Sequence, residues 1–349
     1  MPSPVPAELA SCTRATLVYD LATIEATMAT VAAAARAHGI RVLFAAKSFP
    51  HRAVISLAAR HLDGFDVASP GELELLPRTW MISICDPTGR TLASPDRGDT
   101  IVSVETAAQL AAAPATAAIA IRISASVTGR DPAIGAVLDG SGHRRSRFGL
   151  DDRAQIAELV ALARSRGQRW GLHVHHGPIT ATSAERFLAT ASAALALVDE
   201  EPAFLNLGGA WHGIADLPAA FAKLRAAIPS AIELVVEPGR TFAAGAGFAC
   251  GIVTAARSLG DRELRVIDLS RACHLRWSPV ELVAPAPHPG RGRATLIVGP
   301  TCYEEDTLGE WTVDPLHVEE RVIVRDVPGY ALAWNTGFGG LLPADVIVR

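Results

Sequence analysis

Between residues 41 and 237, short apolar runs alternate with helical stretches, and this alternation narrows the choice of fold more than any other feature. The runs are 41–46, 64–67, 81–85, 100–104, 118–124, 170–175, 204–207 and 232–237. Helical segments separate most of them, the clearest at 151–165, 183–200 and 217–227. An Ala-rich helix over 21–38, stopped by Gly39, comes first. Eight strand–helix units in roughly 220 residues predict an α/β fold of the (β/α)8 TIM-barrel type. A doubly wound sheet is the rival, but no Gly-rich dinucleotide turn follows the first strand.

The pattern changes near residue 247. Segments 248–255, 265–269, 294–298, 321–324 and 330–334 read as strands without helices between them. Turns such as Pro285-Ala286-Pro287-His288-Pro289-Gly290 separate them. The expected organisation is a barrel over 19–246 and a C-terminal all-β domain over 247–349, joined by residues 1–18.

Composition excludes several classes. A formal net charge of −4 implies no nucleic-acid partner. No apolar run approaches the ~20 residues of a membrane helix, and the first residues lack a secretory pattern. The five cysteines, Cys12, Cys85, Cys250, Cys273 and Cys302, are scattered and odd in number, which fits a reducing cytoplasm.

In a barrel, function sits at the C-terminal ends of the strands. Lys47 stands at the first of these ends. It is one of only two lysines among 32 cationic residues, the other being Lys223 on an ordinary solvated helix face. A desolvated lysine can lose its proton and attack a carbonyl, which arginine cannot; the plainer reading is a snorkelling side chain. Asp66 lies on the second strand and Arg122 on the fifth. His175 ends the sixth, with His173 two residues before it. Gly208-Gly209 follows the seventh, and Glu237-Pro238-Gly239-Arg240 ends the eighth. The glycines let backbone amides approach an anion such as a phosphate, with Arg240 supplying charge, or they simply make tight turns. Glu237 needs a cation, which Arg122 or a protonated pyridine nitrogen could provide. His173 and His175 alternate as a zinc pair would, but such a pair belongs on an early strand. No metal is expected. In the β domain, Gly299-Pro300-Thr301-Cys302-Tyr303-Glu304-Glu305-Asp306 packs acids and a thiol into one turn.

Taken together, these elements resemble the fold-type III pyridoxal phosphate-dependent decarboxylases, a group including ornithine, diaminopimelate and carboxynorspermidine decarboxylases and related to alanine racemase. The likeness runs from about Thr16 to Leu342. It rests on Ala45-Ala46-Lys47, Gly64-Phe65-Asp66-Val67-Ala68-Ser69-Pro70-Gly71-Glu72-Leu73, Arg122, Ser146-Arg147-Phe148-Gly149, His175, Gly208-Gly209, Glu237-Pro238-Gly239-Arg240, Gly299-Pro300-Thr301-Cys302 and Tyr330, all in the family order.

The resemblance implies pyridoxal 5'-phosphate as cofactor, Lys47 as the Schiff-base lysine and a role in cofactor binding for Asp66. It implies that His175 stacks on the ring and that Glu237 holds the pyridine nitrogen, with Arg122 close by. Gly208, Gly209, Gly239, Arg240 and Tyr330 would cradle the phosphate. Cys302, from the partner subunit of a head-to-tail homodimer with shared sites, would protonate the carbon that loses CO2. Arg147 would meet Asp306 across that interface, and Tyr303 would face the amino-acid substrate. Trp211, His212, Glu304, Glu305 and Trp334 are further pocket candidates.

Departures from the family pattern bear on phosphate and substrate, among them Phe338-Gly339-Gly340 in place of a late Phe-Asn-Gly. Gly177-Pro178 replaces the usual Gly-Ser, leaving Thr180 or Thr182 to contact phosphate. Ala210 stands where a third glycine is common, and Tyr303 where Asp or Glu selects the standard substrates. The stretch 268–275 is most similar to the carboxynorspermidine branch and its relatives in siderophore and secondary metabolism. The alternatives are an amino-acid racemase on the same scaffold, needing a tyrosine base; a catalytically silent cofactor-binding homologue; and a zinc hydrolase.

Overall fold

The computed structural model describes residues 4–77, 80–91, 99–128, 137–138, 144–175, 184–288 and 292–349. The chain forms two compact units. One comprises Thr27–Lys47 and Val54–Phe242; the other comprises Met1–Ala26, Ser48–Ala53 and Ala243–Arg349.

Strand β1 (Thr16–Tyr19) is followed by β2 (Ile40–Ala45), β3 (Gly64–Val67), β4 (Met81–Ile84), β5 (Thr100–Val104), β6 (Ala118–Ile123), β7 (Trp170–Val174), β8 (Phe204–Asn206) and β9 (Glu233–Val236). Strands β2 to β9 pair in parallel with their sequence neighbours, and β9 closes on β2 with Leu234 opposite Ile40. The result is the closed eight-stranded barrel that the alternation predicts. Its strands are buried almost throughout, which is why they read as continuous apolar runs. Leu43, Met81, Ile101, Phe204 and Val235 fill the interior beside the small Ala118 and Ala120.

The intervening helices start and stop where local chemistry dictates. Helix α1 (Leu21–Arg36) gives way to Gly39, whose φ of +64° suits glycine and whose amide bonds to Arg36 O at 3.1 Å. Helices α2 (Arg52–His61) and α3 (Pro70–Glu74) follow. Helix α4 (Ala107–Ala112) opens with a capping box between Thr106 and Gln109. Asp152 caps α5 (Arg153–Ser165), α6 (Ala184–Leu195) comes next, and Asp216 caps α7 (Leu217–Ala227).

In the second unit are β10 (Gly247–Leu259), β11 (Arg262–Ile267), β12 (Glu281–Ala284), β13 (Arg293–Val298), β14 (Thr307–Val313), β15 (Arg321–Arg325) and β16 (Asp345–Val348). They hydrogen-bond in the order β12-β15-β10-β11-β13-β14, while β1 pairs with β10 and β16. Leu9, Cys12, Val18, Phe248, Cys250 and Ile323 form a core there.

Segment 330–334 is not the strand its apolar run suggests. Tyr330–Ala333 is a single helical turn, α8, entered from Gly329 in helical conformation. Five apolar residues carry no usable period, Ala and Leu favour helix, and Pro328 lacks the amide a ladder needs. Strands β1, β12, β14 and β16 have no counterpart among the sequence expectations; β14 and β16 are only partly buried, and their alternation is weak.

Candidate active site

Strand register brings the polar residues of the barrel to one level. Arg122 on β6 lies opposite His173 on β7, which lies opposite Asn206 on β8. On the other side, Asp66 on β3 sits beside Ala45 on β2, two residues before Lys47. These groups are buried among apolar strands, where an unmet donor or acceptor costs about 1–3 kcal/mol, so their partners show how the site is built.

Lys47 stands on a short 3-10 turn, Ala46–Ser48, at the end of β2, and its side chain is 34% exposed. Its Nζ donates to Asp66 Oδ2. Asp66 is fully buried, and its Oδ1 has no hydrogen-bond partner among the described residues. Burial, reinforced by the Glu237 charge, pushes the Asp66 carboxyl up to about 6 against the pull of Lys47.

Glu237 is buried at the end of β9. Its amide donates to Gly208 O at 2.8 Å, its Oε1 accepts from Asn206 Nδ2 at 2.6 Å, and its Oε2 lies 3.5 Å from His173 Nε2. Burial alone would raise its pKa, but His173, Lys47 and the Asn206 amide together hold it below the usual carboxylate range. Burial and the Arg122 charge lower the pKa of His173, leaving a neutral ring. The Glu237 carboxylate can only accept, which assigns the hydrogen of the neutral ring to Nε2; Nδ1, 2.6 Å from Ser103 Oγ, then accepts from that hydroxyl. Arg122 Nη1 donates to Cys85 Sγ at 2.7 Å and lies 3.3–3.4 Å from the His173 nitrogens. Leu150 N, just after the Ser146-Arg147-Phe148-Gly149 motif, bonds to Arg122 O, and Phe148 lies under the Arg122 guanidinium at 5.7 Å.

His175 follows β7 and is half-buried. Burial, then the Arg122 and Lys47 charges, bring its pKa down to about 3, so it too is a neutral ring. Gly208 has φ +59°, and a Cβ there would come within 2.9 Å of His175 Cδ2. One on Gly209 would lie 3.0 Å from His175 Nε2. Bare backbone therefore runs against the imidazole. Ala210 also adopts left-handed geometry, with φ +70°. Gly239 precedes the 3-10 turn Arg240–Ala243; the Arg240 charge, after burial, lowers the pKa of His212. Trp211 is fully buried and stacks on Phe187 at 3.8 Å, so it is core rather than pocket. Residues 176–182, with Pro178, Thr180 and Thr182, lie outside the described residues.

In the other unit, Cys302 is exposed and Tyr303 is 55% exposed. Tyr330 meets Trp277 edge-on at 5.4 Å. Tyr19, a potential racemase base, is fully buried and donates to Pro328 O at 3.1 Å; burial raises its pKa. Asp306 holds its carboxylate within its own unit. It is 2% exposed, and both oxygens are taken by Ser270, Arg271, Ala272 and Thr301 of its own unit. The Arg147 guanidinium lies over Phe148 at 3.9 Å.

The barrel donor set fits pyridoxal phosphate. Lys47 offers an amine, Glu237 a buried anion for a ring nitrogen, Asp66 Oδ1 an unmet acceptor, and the glycine turn backbone without side chains beside the neutral His175 ring. Asn206, Ser103 and Cys85 are missed by sequence reasoning, and His173 is read there only as a zinc ligand. The one available signal is Asn206 itself, an amide inside an apolar strand next to a glycine turn. Among the described residues no cluster of three or more His, Cys, Asp or Glu is arranged to hold a metal.

No protein-family model matches the chain. It is 28% identical over 201 residues to a probable chloroplastic diaminopimelate decarboxylase of rice, and 29% over 225 residues to diaminopimelate decarboxylase of Deinococcus radiodurans. These alignments take in 49% and 59% of this chain but only 39% and 56% of the relatives. The enzyme of that name from Vibrio cholerae is 25% identical over 337 residues, 85% of this chain and 78% of its own. In fold, diaminopimelate decarboxylase from Helicobacter pylori complexed with L-lysine superposes with a TM-score of 0.80 at 17% identity, covering 98% of this chain and 93% of that one. Lysine decarboxylase of Selenomonas ruminantium superposes with a TM-score of 0.75 at 19% identity, covering 100% and 97%.

Proposed function

Because the chain is a relative of the fold-type III pyridoxal phosphate decarboxylases, we propose that it releases CO2 from an amino acid with that cofactor held at Lys47. The observation that carries this reading is the single cluster in which Lys47, bonded to Asp66, shares a field with Glu237, itself held by Asn206 and His173.

Pyridoxal phosphate, when bound, supplies an aldehyde that takes up an amine and a ring that accepts the electron pair left by departing CO2. Lys47 is the amine at hand. Glu237 keeps its negative charge where a pyridinium would need it, and the neutral ring of His175 offers a flat apolar face. Gly208, Gly209, Gly239, Arg240 and Tyr330 would serve the phosphate, and Arg122 steadies His173 beside Glu237. Cys302 Sγ would return a proton to the carbon that lost CO2, acting in the site of a second copy of this chain; its exposure, and that of Tyr303, fits such a role. Tyr303 in place of an acid favours a substrate bulkier than ornithine, in polyamine, siderophore or secondary metabolism. All five cysteines are free thiols, which supports a cytoplasmic setting. No described helix is long and apolar enough to cross a membrane.

The test is a CO2-release screen of the purified protein with added cofactor over basic, dicarboxylic and citryl-conjugated amino acids. CO2 from at least one class is expected, and lost in Lys47→Ala. Exchange of enantiomers without CO2 would replace this reading with a racemase.

A further inference from the structure

The carboxylate of Asp306 is the hub of the turn that carries Cys302. Oδ1 accepts from Ser270 Oγ at 3.0 Å, Arg271 N at 2.7 Å and Ala272 N at 3.2 Å. Oδ2 accepts from Ser270 Oγ at 3.0 Å, Thr301 N at 3.2 Å and Thr301 Oγ1 at 2.7 Å. The Asp306 backbone accepts Gly299 N at 2.7 Å and donates to Tyr303 O at 2.9 Å, while Tyr303 N donates to Thr301 Oγ1 at 3.3 Å. Cys302 therefore sits between two residues that are both bonded to Asp306, yet is itself exposed. Gly299 is required by this closeness, since a Cβ there would stand 2.2 Å from Asp306 Oδ2. Ser270 extends the network. Its amide donates to His274 Nδ1 at 3.1 Å, and His274 Nε2 bonds to Leu342 O at 3.1 Å.

Neutral amides and hydroxyls surround this buried anion, a donor set that fixes geometry more tightly than one mobile cation would. We propose that Asp306 is a positioning residue, locking the 301–303 turn so that Cys302 Sγ delivers its proton to the substrate carbon and nowhere else. This rests on the decarboxylase reading above. Were that proton misplaced, the cofactor chemistry would divert: with one water consumed, the substrate would leave as an aldehyde, its nitrogen kept by the cofactor, in place of the amine.

The experiment measures amine formed per CO2 released in Asp306→Asn, a ratio that does not depend on how much enzyme is folded. The variant keeps the volume and turns one acceptor into a donor facing other donors. The ratio is expected to fall about twofold or more, as in Cys302→Ala, with the double variant no worse than Cys302→Ala alone. An unchanged ratio, or losses that add in the double variant, overturns the proposal. Should Asp306→Asn not fold, Ser270→Ala and Thr301→Val are read in the same way. If the wild-type protein releases no CO2 from any amino acid, the decarboxylase reading fails and Cys302 alkylation by iodoacetamide decides this inference separately. A change in rate of about fivefold in Asp306→Asn supports it, and an unchanged rate overturns it.

Discussion

Asn206 Nδ2 donates to Glu237 Oε1 at 2.6 Å, and Asn206 Oδ1 accepts the Gly208 amide at 2.9 Å. One side chain thus fixes both the buried anion and the glycine turn. Asn206→Ala leaves the carboxylate short of a donor and the amide short of an acceptor. Pyridoxal phosphate affinity, followed by fluorescence titration, should fall about tenfold, with a stability loss of about 1–3 kcal/mol. Asn206→Asp, placing a second carboxyl against the first, should cost more. Wild-type affinity in both variants would rule out Asn206 as a support of the site.

Asp66 gives the protein an unusual response to acid. Its carboxyl rises from 3.8 to about 6 through burial, with Glu237 adding and Lys47 opposing. Between those values the folded state binds the proton and the unfolded state does not, so this group stabilises the fold as pH falls from 6 to 4 and is a fixed cost above 6. Asp66→Asn removes the effect. The stability of that variant relative to wild type should therefore grow from pH 4 to 6, by an amount of the order of 1–3 kcal/mol, and level off above. Urea melts across this range check it; a constant difference would contradict the assignment.

Two neighbouring turn residues should respond in opposite directions. Ala210 at φ +70° is strained, so Ala210→Gly should gain about 0.5–1 kcal/mol, net of the added chain entropy. Gly208→Ala meets both a positive φ and a Cβ 2.9 Å from His175, and should lose about 2 kcal/mol or more together with cofactor affinity. Calorimetry and cofactor titration of the two variants make the comparison.

The barrel was legible because parallel strands buried on both faces leave unbroken apolar runs, and a lysine or glutamate ending such a run stands out. Lys47, Asp66, Arg122, His175 and Glu237 could be singled out in this way. Ser103 and Cys85 could not, because their place depends on register between strands far apart in sequence, which no local pattern records; Asn206 stands out only as an amide inside an apolar strand, and its bond to Glu237 depends on the same register. His173 was visible, but its meaning was not: only the contacts with Ser103 and Glu237 distinguish a hydrogen-bonding relay from a metal ligand. Asp306 shows the same limit in reverse. A carboxylate four residues past a cysteine looks available, until Ser270 and the 271–272 amides are found around it. Tyr330–Ala333 escaped as a helix because one turn is too short to show a period.

The central claim is that Lys47 carries the cofactor, and the direct measurement is borohydride reduction of the protein with pyridoxal phosphate, followed by peptide mass mapping. The reduced pyridoxyl group should be found on the peptide containing Lys47, and the long-wavelength absorbance should be absent from Lys47→Ala. A pyridoxyl group on Lys223 or the chain terminus alone, or the absorbance persisting in Lys47→Ala, would contradict the account.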